Sequence, residues 1–411
     1  MSYYGTSDVS YNSDFNLRVR DIKKGNLDFG WLDDARETID IRRRDPRRGL
    51  TLEDCEVGPY AIENAPEVIR ENRGLAPRGA ILTEGSVQPD LGPSLNKKSD
   101  VWAYRVQRYW EEAMSRQWNV TTDIPWRDME KHEIPDDIEI AFCQLCTLLS
   151  EVEMIATDLP AKWSHHMNSY FQEVKGFIAT QAIDEARHAE AFRKRALAGA
   201  GLFRASVRGE HALKGILEAD SYSEGSVFLH VLGEGFILTL FRSSEFISPT
   251  PVEQRMFQLV MQDEARHVSY GLQHLKYLMD NCPEVRPQIN GFLDEAERHL
   301  TGLFNPDQLE SMIVLGGKGT TPDCIKRGIE VVGAFQGKQI EEYFHRAERA
   351  GLPERRERSP LLELQQRGAD LEGERHPRLD EARCKAGELP AEQRAARADL
   401  RRHQCRQLRL G

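Results

Sequence analysis

The pentapeptide DEARH occurs twice in this chain, as Asp184–His188 and again as Asp263–His267. The two copies start 79 residues apart, and both lie in sequence that is typical of α-helices. Each copy contains Glu-x-x-His, and residues three apart lie on the same face of a helix. The Glu and the His of each copy can therefore bind the same metal ion.

A single Glu-x-x-His occurs readily by chance. A third one, Glu342-x-x-His345, lacks the flanking Asp and Arg and has no second copy. For the paired segments, the alternative is two solvated helices that are joined by salt bridges. The identical repeat favours a metal site, because dinuclear carboxylate centres in four-helix bundles use two Glu-x-x-His helices and a further Glu from each of two others.

The first missing ligand is sought by helix spacing. Facing positions on antiparallel bundle helices are about 30 residues apart, and the segment 136–159 indicates an apolar helix upstream of Glu185. Two acids lie in its middle. Glu153, 32 residues before Glu185, continues the apolar stripe and is our predicted ligand. Glu151 remains the alternative.

The second missing ligand lies in the almost wholly apolar segment Ser226–Phe241, whose only acid is Glu234, 30 residues before Glu264. A carboxylate buried in such a run must be neutralised, paired or bound to metal. Four carboxylates and two divalent ions would balance in charge. The near-equal spacings predict two half-sites in an all-α, pseudo-twofold four-helix bundle.

The remaining acid and base of each repeat have a supporting role available. A metal-bound histidine usually donates its second ring N–H to a carboxylate. We expect Asp184 and Asp263 each to accept from the histidine of the opposite helix, and Arg187 and Arg266 to pair with these two aspartates. Salt bridges on the helix surface are the alternative.

An apolar pocket should lie beside the metals, because oxidising chemistry at such a site must exclude water. Residues one helical turn from a predicted ligand are its candidates. His230 is more simply a pocket histidine than an additional ligand, although both remain open. The candidates are Leu149, Phe192, His230, Leu238 and Phe241.

These motifs resemble the di-iron carboxylate superfamily, with its ferritin-like bundle. The doubled DEARH is most similar to the hydroxylase subunits of bacterial multicomponent monooxygenases and to ribonucleotide reductase small subunits and their oxidase-like relatives. The resemblance covers about residues 137–275. It implies two iron ions, with manganese as an option in one or both positions, and O₂ as the oxidant. The metal-binding and catalytic residues that it implies are Glu153, Glu185, His188, Glu234, Glu264 and His267.

One position separates the branches of this superfamily. Reductase subunits carry a radical-forming tyrosine one turn after the first histidine ligand, where this chain has Phe192. We therefore expect a di-iron monooxygenase that hydroxylates or otherwise oxidises a small organic substrate. It would draw electrons from an external reductase or ferredoxin, and we expect a homodimer.

Two alternatives remain. An amine N-oxygenase of the same superfamily is one, although Val260 stands where some N-oxygenases carry a third histidine ligand. Iron storage by a ferritin-like ferroxidase is the other. The long N-terminal region argues against it, because storage subunits are little longer than the bundle.

Composition agrees with a cytoplasmic enzyme. The net charge of −11 disfavours nucleic-acid binding, and neither a signal peptide nor a transmembrane run is expected. Seven cysteines without a framework spacing suit a reducing compartment. We predict three regions: an irregular N-terminal extension over 1–100, a helical domain over 101–350, and a charged, Arg- and Glu-rich tail over 351–411 that is a candidate for disorder.

Overall fold

The structure is a computed structural model that describes residues 13–27, 29–30, 32–33, 50–80, 82, 88–203, 207–300 and 306–362. Within these ranges every regular element is a helix, and β pairing is limited to two isolated bridges. The predicted all-α class is therefore confirmed. The helices are α1 (Ser13–Lys24), α2 (Leu52–Cys55), α3 (Lys98–Val101), α4 (Val106–Ser115), α5 (Asp136–Ser164), α6 (Gln172–Ala198), α7 (Val207–Glu218), α8 (Tyr222–Ile247), α9 (Pro251–Asn281), α10 (Arg286–Leu300), α11 (Pro306–Gly317), α12 (Pro322–Arg349) and α13 (Arg355–Arg358).

Four long helices form a bundle. Helix α5 packs on α6, and α8 packs on α9, with α6 and α9 also in contact. The partners within each pair run antiparallel, because the connections between them are short. Thr250 caps α9 by accepting a hydrogen bond from the backbone N–H of Val252, and Pro251 occupies the first turn.

The apolar helix indicated over 136–159 extends further, because α5 continues through Pro160 to Ser164. A break separates α3 from α4, where Arg105 adopts a left-handed conformation with φ of 62°. Both positions show that local propensity is a weak guide where tertiary packing decides.

Helix α8 changes geometry just before the predicted ligand Glu234. Residues Val227–Gly233 form a π-helix, and α-helical geometry resumes at Glu234. Such π segments are rare and occur mostly at functional sites. The wider turn changes which residues share a face with Glu234, so a prediction from ideal α-helical periodicity fails locally.

The N-terminal region is tied to the bundle by a buried ion pair. Arg78 is 2% exposed and donates to the Glu173 carboxylate on α6 at 2.6 and 3.1 Å. Short helices and turns fill residues 50–80. Burying this pair makes the contact costly to break, because either charge alone would be uncompensated.

The packed unit ends at Leu361, so the first residues of the predicted tail belong to it. Arg355 is fully buried and donates to the Glu297 carboxylate at 2.6 Å. Residues 363–411 lie outside the described residues.

Helices α5 and α8 are each long and apolar enough to cross a membrane by length and composition. Most of the apolar window in each is buried inside the protein, 61% in α5 and 72% in α8. This is the pattern of core helices in a soluble protein, and these helices carry Glu153 and Glu234.

Candidate metal centre

The six predicted ligands converge in the middle of the bundle, each at most 3% exposed. Their donor atoms form two overlapping groups, within each of which all atoms lie within 4.8 Å of one another. Glu185 and Glu264 belong to both groups. We call the group completed by Glu153 and His188 position 1, and the group completed by Glu234 and His267 position 2.

The shared role of two carboxylates is visible in the distances from the histidines. His188 Nδ1 lies 3.3 Å from a Glu185 oxygen and 3.2 Å from a Glu264 oxygen. His267 Nδ1 lies 2.9 Å from Glu185 and 3.6 Å from Glu264. Each shared glutamate therefore reaches both histidines. The sequence spacing alone suggested two separate half-sites and gave no indication of sharing.

Unpartnered polar atoms provide a test of whether these residues suit a metal. Buried polar groups in proteins are almost always hydrogen-bonded. In this cluster, however, seven buried oxygen and nitrogen atoms have no hydrogen-bond partner. All seven belong to the six residues. They are Glu153 Oε1, Glu185 Oε1 and Oε2, Glu234 Oε2, Glu264 Oε2, His188 Nδ1 and His267 Nδ1. Four carboxylates and two imidazoles so arranged fit two divalent ions of the iron or manganese type.

Burial and mutual charge set the protonation of the cluster before a metal binds. Burial raises the pKa of Glu153 well above its ordinary range, and the charges of Glu264 and Glu185 add to that shift. Burial likewise raises the pKa of Glu234. Burial acts against protonation of His188, but Asp263 and the glutamates outweigh it and raise its pKa. The cluster therefore holds protons that a metal ion must displace.

The Asp and Arg of the two repeats interlock behind the histidines. His188 Nε2 lies 3.2 Å from the Asp263 carboxylate, and His267 Nε2 lies 3.3 Å from the Asp184 carboxylate. Each aspartate also accepts from the arginine of its own repeat and from that of the other. The cross-repeat bonds are Arg187 to Asp263 at 2.7 Å and Arg266 to Asp184 at 3.0 Å.

This interlock has a clear consequence for the histidines. With one proton held between Nε2 and an aspartate, Nδ1 is the ring nitrogen that faces the carboxylates and that can bind a metal ion once its own proton is displaced. The two aspartates and two arginines are each at most 8% exposed and sum to zero charge. One pentapeptide thus supplies both the donor atoms and their support.

Trp118 packs beside His188 and Asp263. Its Nε1 donates to Asp263 at 2.6 Å, and its ring stacks on His188 with centroids 6.4 Å apart. The Arg187 guanidinium lies over the Trp118 ring, 4.7 Å from the ring centroid. The tryptophan lies 145 residues from Asp263 in sequence, so no local pattern could have paired them.

A hydrogen-bonded chain orients Glu234. Gln181 is fully buried and donates from Nε2 to Glu234 Oε1 at 2.8 Å, while its own Oε1 lies 3.0 Å from His230 Nε2. His230 Nδ1 lies 2.8 Å from Ser226 Oγ. Burial lowers the pKa of His230 to about 3, with the charge of His267 adding to the shift. His230 is therefore neutral, and both ring nitrogens already have partners.

Gln181 was missed by the sequence analysis, although a signal was present. It lies one helical turn before Glu185, on the face that points into the bundle. The chain fixes one oxygen of Glu234 and leaves Oε2 as its unpartnered atom. At position 1, the corresponding Glu153 has an unpartnered Oε1.

A cavity of about 120 Å³ opens on the carboxylate side of the cluster. Glu153, Glu234 and Glu264 reach its wall, whereas the two histidines and Glu185 do not. Of the five predicted pocket residues, only Leu149 lines it. The outer wall comes from α7, α11, α12 and the end of α10, which lie outside the bundle.

The other predicted pocket positions are corrected. Phe192 and Phe241 pack with Phe257 at centroid distances of 5.5 to 5.8 Å and fill the core. His230 belongs to the chain that ends at Glu234. Leu238 lies on the opposite side of α8, in a polar groove with Glu342. Helical periodicity places residues near a ligand, but the packing of distant helices decides where space remains.

Three further sequence candidates lie away from the site. Glu151 is exposed on α5, in contrast to the buried Glu153. His345 is 68% exposed, and its nearest carboxylate is that of Glu348 at 4.0 Å. Val260 is buried in the apolar core. The third Glu-x-x-His therefore takes no part in the cluster.

Comparisons with known proteins find similarity in structure only. No protein-family model matches the chain, and no curated protein is significantly similar to it in sequence. An R2-like ligand-binding oxidase variant with an aerobically reconstituted Mn/Fe cofactor is 17% identical, with a TM-score of 0.48 over 60% of this chain and 97% of that one. The same kind of oxidase after photoconversion is 16% identical, with a TM-score of 0.47 over 61% and 95%. A variant with an Fe/Fe cofactor is 17% identical, with a TM-score of 0.46 over 60% and 93%. These similarities are distant, so the function must be argued from this chain's own residues.

Proposed function

We propose that this protein is an O₂-dependent di-metal oxygenase that hydroxylates or otherwise oxidises a small organic substrate. The observation that carries the proposal is the set of seven unpartnered, buried donor atoms on six residues beside an apolar cavity. Leaving so many polar atoms buried without partners would cost several kcal/mol unless cations occupy their centre.

In this proposal Glu153 and His188 hold one ion, Glu234 and His267 hold the other, and Glu185 and Glu264 contact both. Two iron ions, or one iron and one manganese, would supply the electrons that reduce O₂ and the oxidising power that attacks the substrate. The oxidase similarity reported above agrees with this chemistry but adds no residue-level support.

The protein's own groups have three tasks. Asp184 and Asp263 keep the Nε2 proton on each histidine, so that Nδ1 remains available as a ligand atom. Gln181 fixes the Glu234 carboxylate. The apolar walls of the cavity exclude water from the reacting atoms, which prevents loss of oxidising equivalents to solvent.

The cavity favours an oxygenase over the iron-storage alternative. Storage requires hydrated iron to move repeatedly through a polar route to the site. Here the space beside the carboxylates is walled mainly by Leu, Ile, Val, Phe and Met side chains. Such a space suits an organic substrate better than hydrated ions.

Some N-oxygenases of this superfamily use an additional nitrogen ligand, so its absence counts against that alternative. Val260 is buried in the core and cannot provide one. His230 is near the site, but both of its nitrogens are hydrogen-bonded to Ser226 and Gln181. We therefore favour oxidation at carbon, with electrons from an external reductase or ferredoxin, in a cytoplasmic homodimer.

The test is metal content followed by O₂ consumption. Protein loaded anaerobically with Fe(II) should retain two irons per chain and consume O₂ when an electron donor and a substrate are present. Glu185→Ala and Glu264→Ala should each lose most of both irons, because each glutamate serves both positions. His345→Ala is the matched control and should retain both irons. One ion per chain, stoichiometric zinc, or tens of irons per chain would each overturn the proposal.

A further inference from the structure

The cavity beside the cluster has two unlike walls. Its inner wall belongs to the bundle and carries three of the ligand carboxylates, Glu153, Glu234 and Glu264. Its outer wall belongs mainly to α11 and α12 and carries the other polar side chains that line the cavity, namely Gln308, Gln336 and Gln339. The rest of the described lining is apolar apart from Gly233.

The charges of the lining restrict what can enter. Among the described residues that line the cavity there is no Lys, Arg or His, and the acids are the three ligand glutamates. An anionic substrate would therefore be buried without a cationic partner from the protein. A cationic substrate would have to compete with the metals for the same carboxylates. Either ion would be strongly disfavoured relative to a neutral molecule of the same shape.

The outer glutamines offer neutral hydrogen bonds. Gln339 is already used, because its Nε2 donates to the Phe236 carbonyl at 3.0 Å. Gln308 and Gln336 are half-buried, and neither makes a side-chain hydrogen bond with another described residue. An amide presents both donors and an acceptor. A hydroxyl, carbonyl or ether oxygen on a substrate could therefore bond to either of them.

The volume sets the size of the substrate. An apolar protein cavity of about 150 Å³ holds one benzene molecule, and this cavity measures about 120 Å³. We propose that it binds an uncharged substrate of about one ring in size, with a single neutral polar group that bonds to Gln308 or Gln336. This inference rests on the proposed function for its biological meaning, but the binding that it predicts can be measured without turnover.

Four ring compounds of similar shape make the test: toluene, benzyl alcohol, benzoate and benzylamine. Each is titrated near pH 7 by calorimetry or ligand-observed NMR, with metal-free protein and with anaerobic Fe(II)-loaded protein. Benzyl alcohol should bind at least roughly tenfold more tightly than benzoate in both forms, and at least roughly tenfold more tightly than benzylamine in the Fe(II)-loaded form, where metals occupy the carboxylates. Equal or tighter binding of benzoate to either form, or of benzylamine to the Fe(II)-loaded form, would overturn the proposal, and so would failure of all four to bind at millimolar concentration.

Variants test the role of the glutamines. Gln308→Leu and Gln336→Leu together should weaken binding of benzyl alcohol roughly threefold to tenfold and leave toluene unchanged or tighter. Met312→Trp should abolish binding of both by filling the cavity, whereas Leu238→Phe, in the outer groove, should have no effect. Equal loss for toluene and benzyl alcohol in the glutamine variant would refute the hydrogen-bonding role.

The two proposals can fail separately. Iron content reports on the proposed function, and the ranking of neutral over charged probes reports on the substrate class. A protein that binds no iron but still prefers benzyl alcohol keeps this inference and loses the function. A protein with two irons that prefers benzoate keeps the function and loses this inference.

Discussion

Replacing Asp263 with Asn tests how the two DEARH repeats support one another. The Asp263 carboxylate accepts from Trp118 at 2.6 Å and from Arg187 at 2.7 Å, and lies 3.2 Å from His188 Nε2. Burial works against ionisation, but His188 and both arginines outweigh it and hold the pKa of Asp263 well below its ordinary range. The carboxylate is therefore ionised, and Asn removes a buried charge while conserving shape.

Two magnitudes follow from that change. Loss of a carboxylate behind a metal-bound histidine typically lowers metal affinity by about 10-fold to 100-fold, or roughly 1.4 to 2.8 kcal/mol. Removing one charge from a buried, balanced network destabilises a fold by about 3 to 5 kcal/mol. This is an upper limit for Asp263→Asn, because the Asn side chain can still accept a hydrogen bond. The stability loss should appear in the metal-free protein, and the affinity loss should be confined to one ion of the pair.

The location of the affinity loss is the sharper expectation. Asp263 supports His188, so Asp263→Asn should weaken position 1, whereas Asp184→Asn should weaken position 2. Combining each variant with Glu153→Ala, which damages position 1 alone, distinguishes the two cases. Asp263→Asn and Glu153→Ala should be non-additive, because both weaken the same ion. Asp184→Asn and Glu153→Ala should add.

The assay is anaerobic titration with Fe(II) or Mn(II), read as two stepwise affinities, together with urea unfolding of the metal-free protein. Unchanged affinity for both ions despite a loss of stability would refute the supporting role. Equal weakening of both ions by either aspartate variant would refute the assignment of each aspartate to one position.

Three further expectations concern other parts of the molecule. In Gly271→Ala, the new Cβ would lie 2.2 Å from the Cβ of His230. The free energy of unfolding in urea should therefore fall by about 1 to 3 kcal/mol, and the ion at position 2 should bind more weakly. Burial lowers the pKa of His274 to about 4. The free energy of unfolding should therefore fall by up to about 3 kcal/mol as the pH drops from about 6.5 towards 4. An equally steep fall with pH in His274→Gln would contradict this. Arg78→Ala leaves Glu173 buried without its partner, so the free energy of unfolding should fall by about 3 to 5 kcal/mol. A second change, Glu173→Gln, should restore part of that loss. If it restores none, the loss comes from packing and not from charge.

The bundle and its cluster were accessible from sequence because they rest on local patterns. The spacing of Glu-x-x-His and the apolar runs around Glu153 and Glu234 are readable without tertiary information. The structure brings these residues together as the spacing suggested. The choice of Glu153 over Glu151 also depended only on the apolar stripe of α5, and Glu151 indeed lies exposed.

What escaped prediction depends on contacts between distant segments or on departures from ideal helices. Trp118 meets Asp263 across the fold, and the cavity wall on α11 and α12 has no motif of its own. The π-helical turn before Glu234 altered the face on which His230 lies relative to Glu234. Periodicity assumes a constant 3.6 residues per turn, so it fails at the segment where the helix departs from that value.

The same departure explains how a nearly symmetric repeat yields an asymmetric site. The two DEARH copies are identical, yet only Glu234 is fixed by a buried amide, and that amide is oriented by His230 from within the π-helical segment. Glu153 lies in a regular α-helix, where no such segment precedes it. A carboxylate with one oxygen held by a buried amide has fewer ways to bind an ion than one that no amide holds. The two ions should therefore differ in affinity even in the unmodified protein, and Gln181→Leu should reduce that difference by releasing Glu234. Two equal affinities in the unmodified protein, unaffected by Gln181→Leu, would mean that the amide has no influence on metal binding.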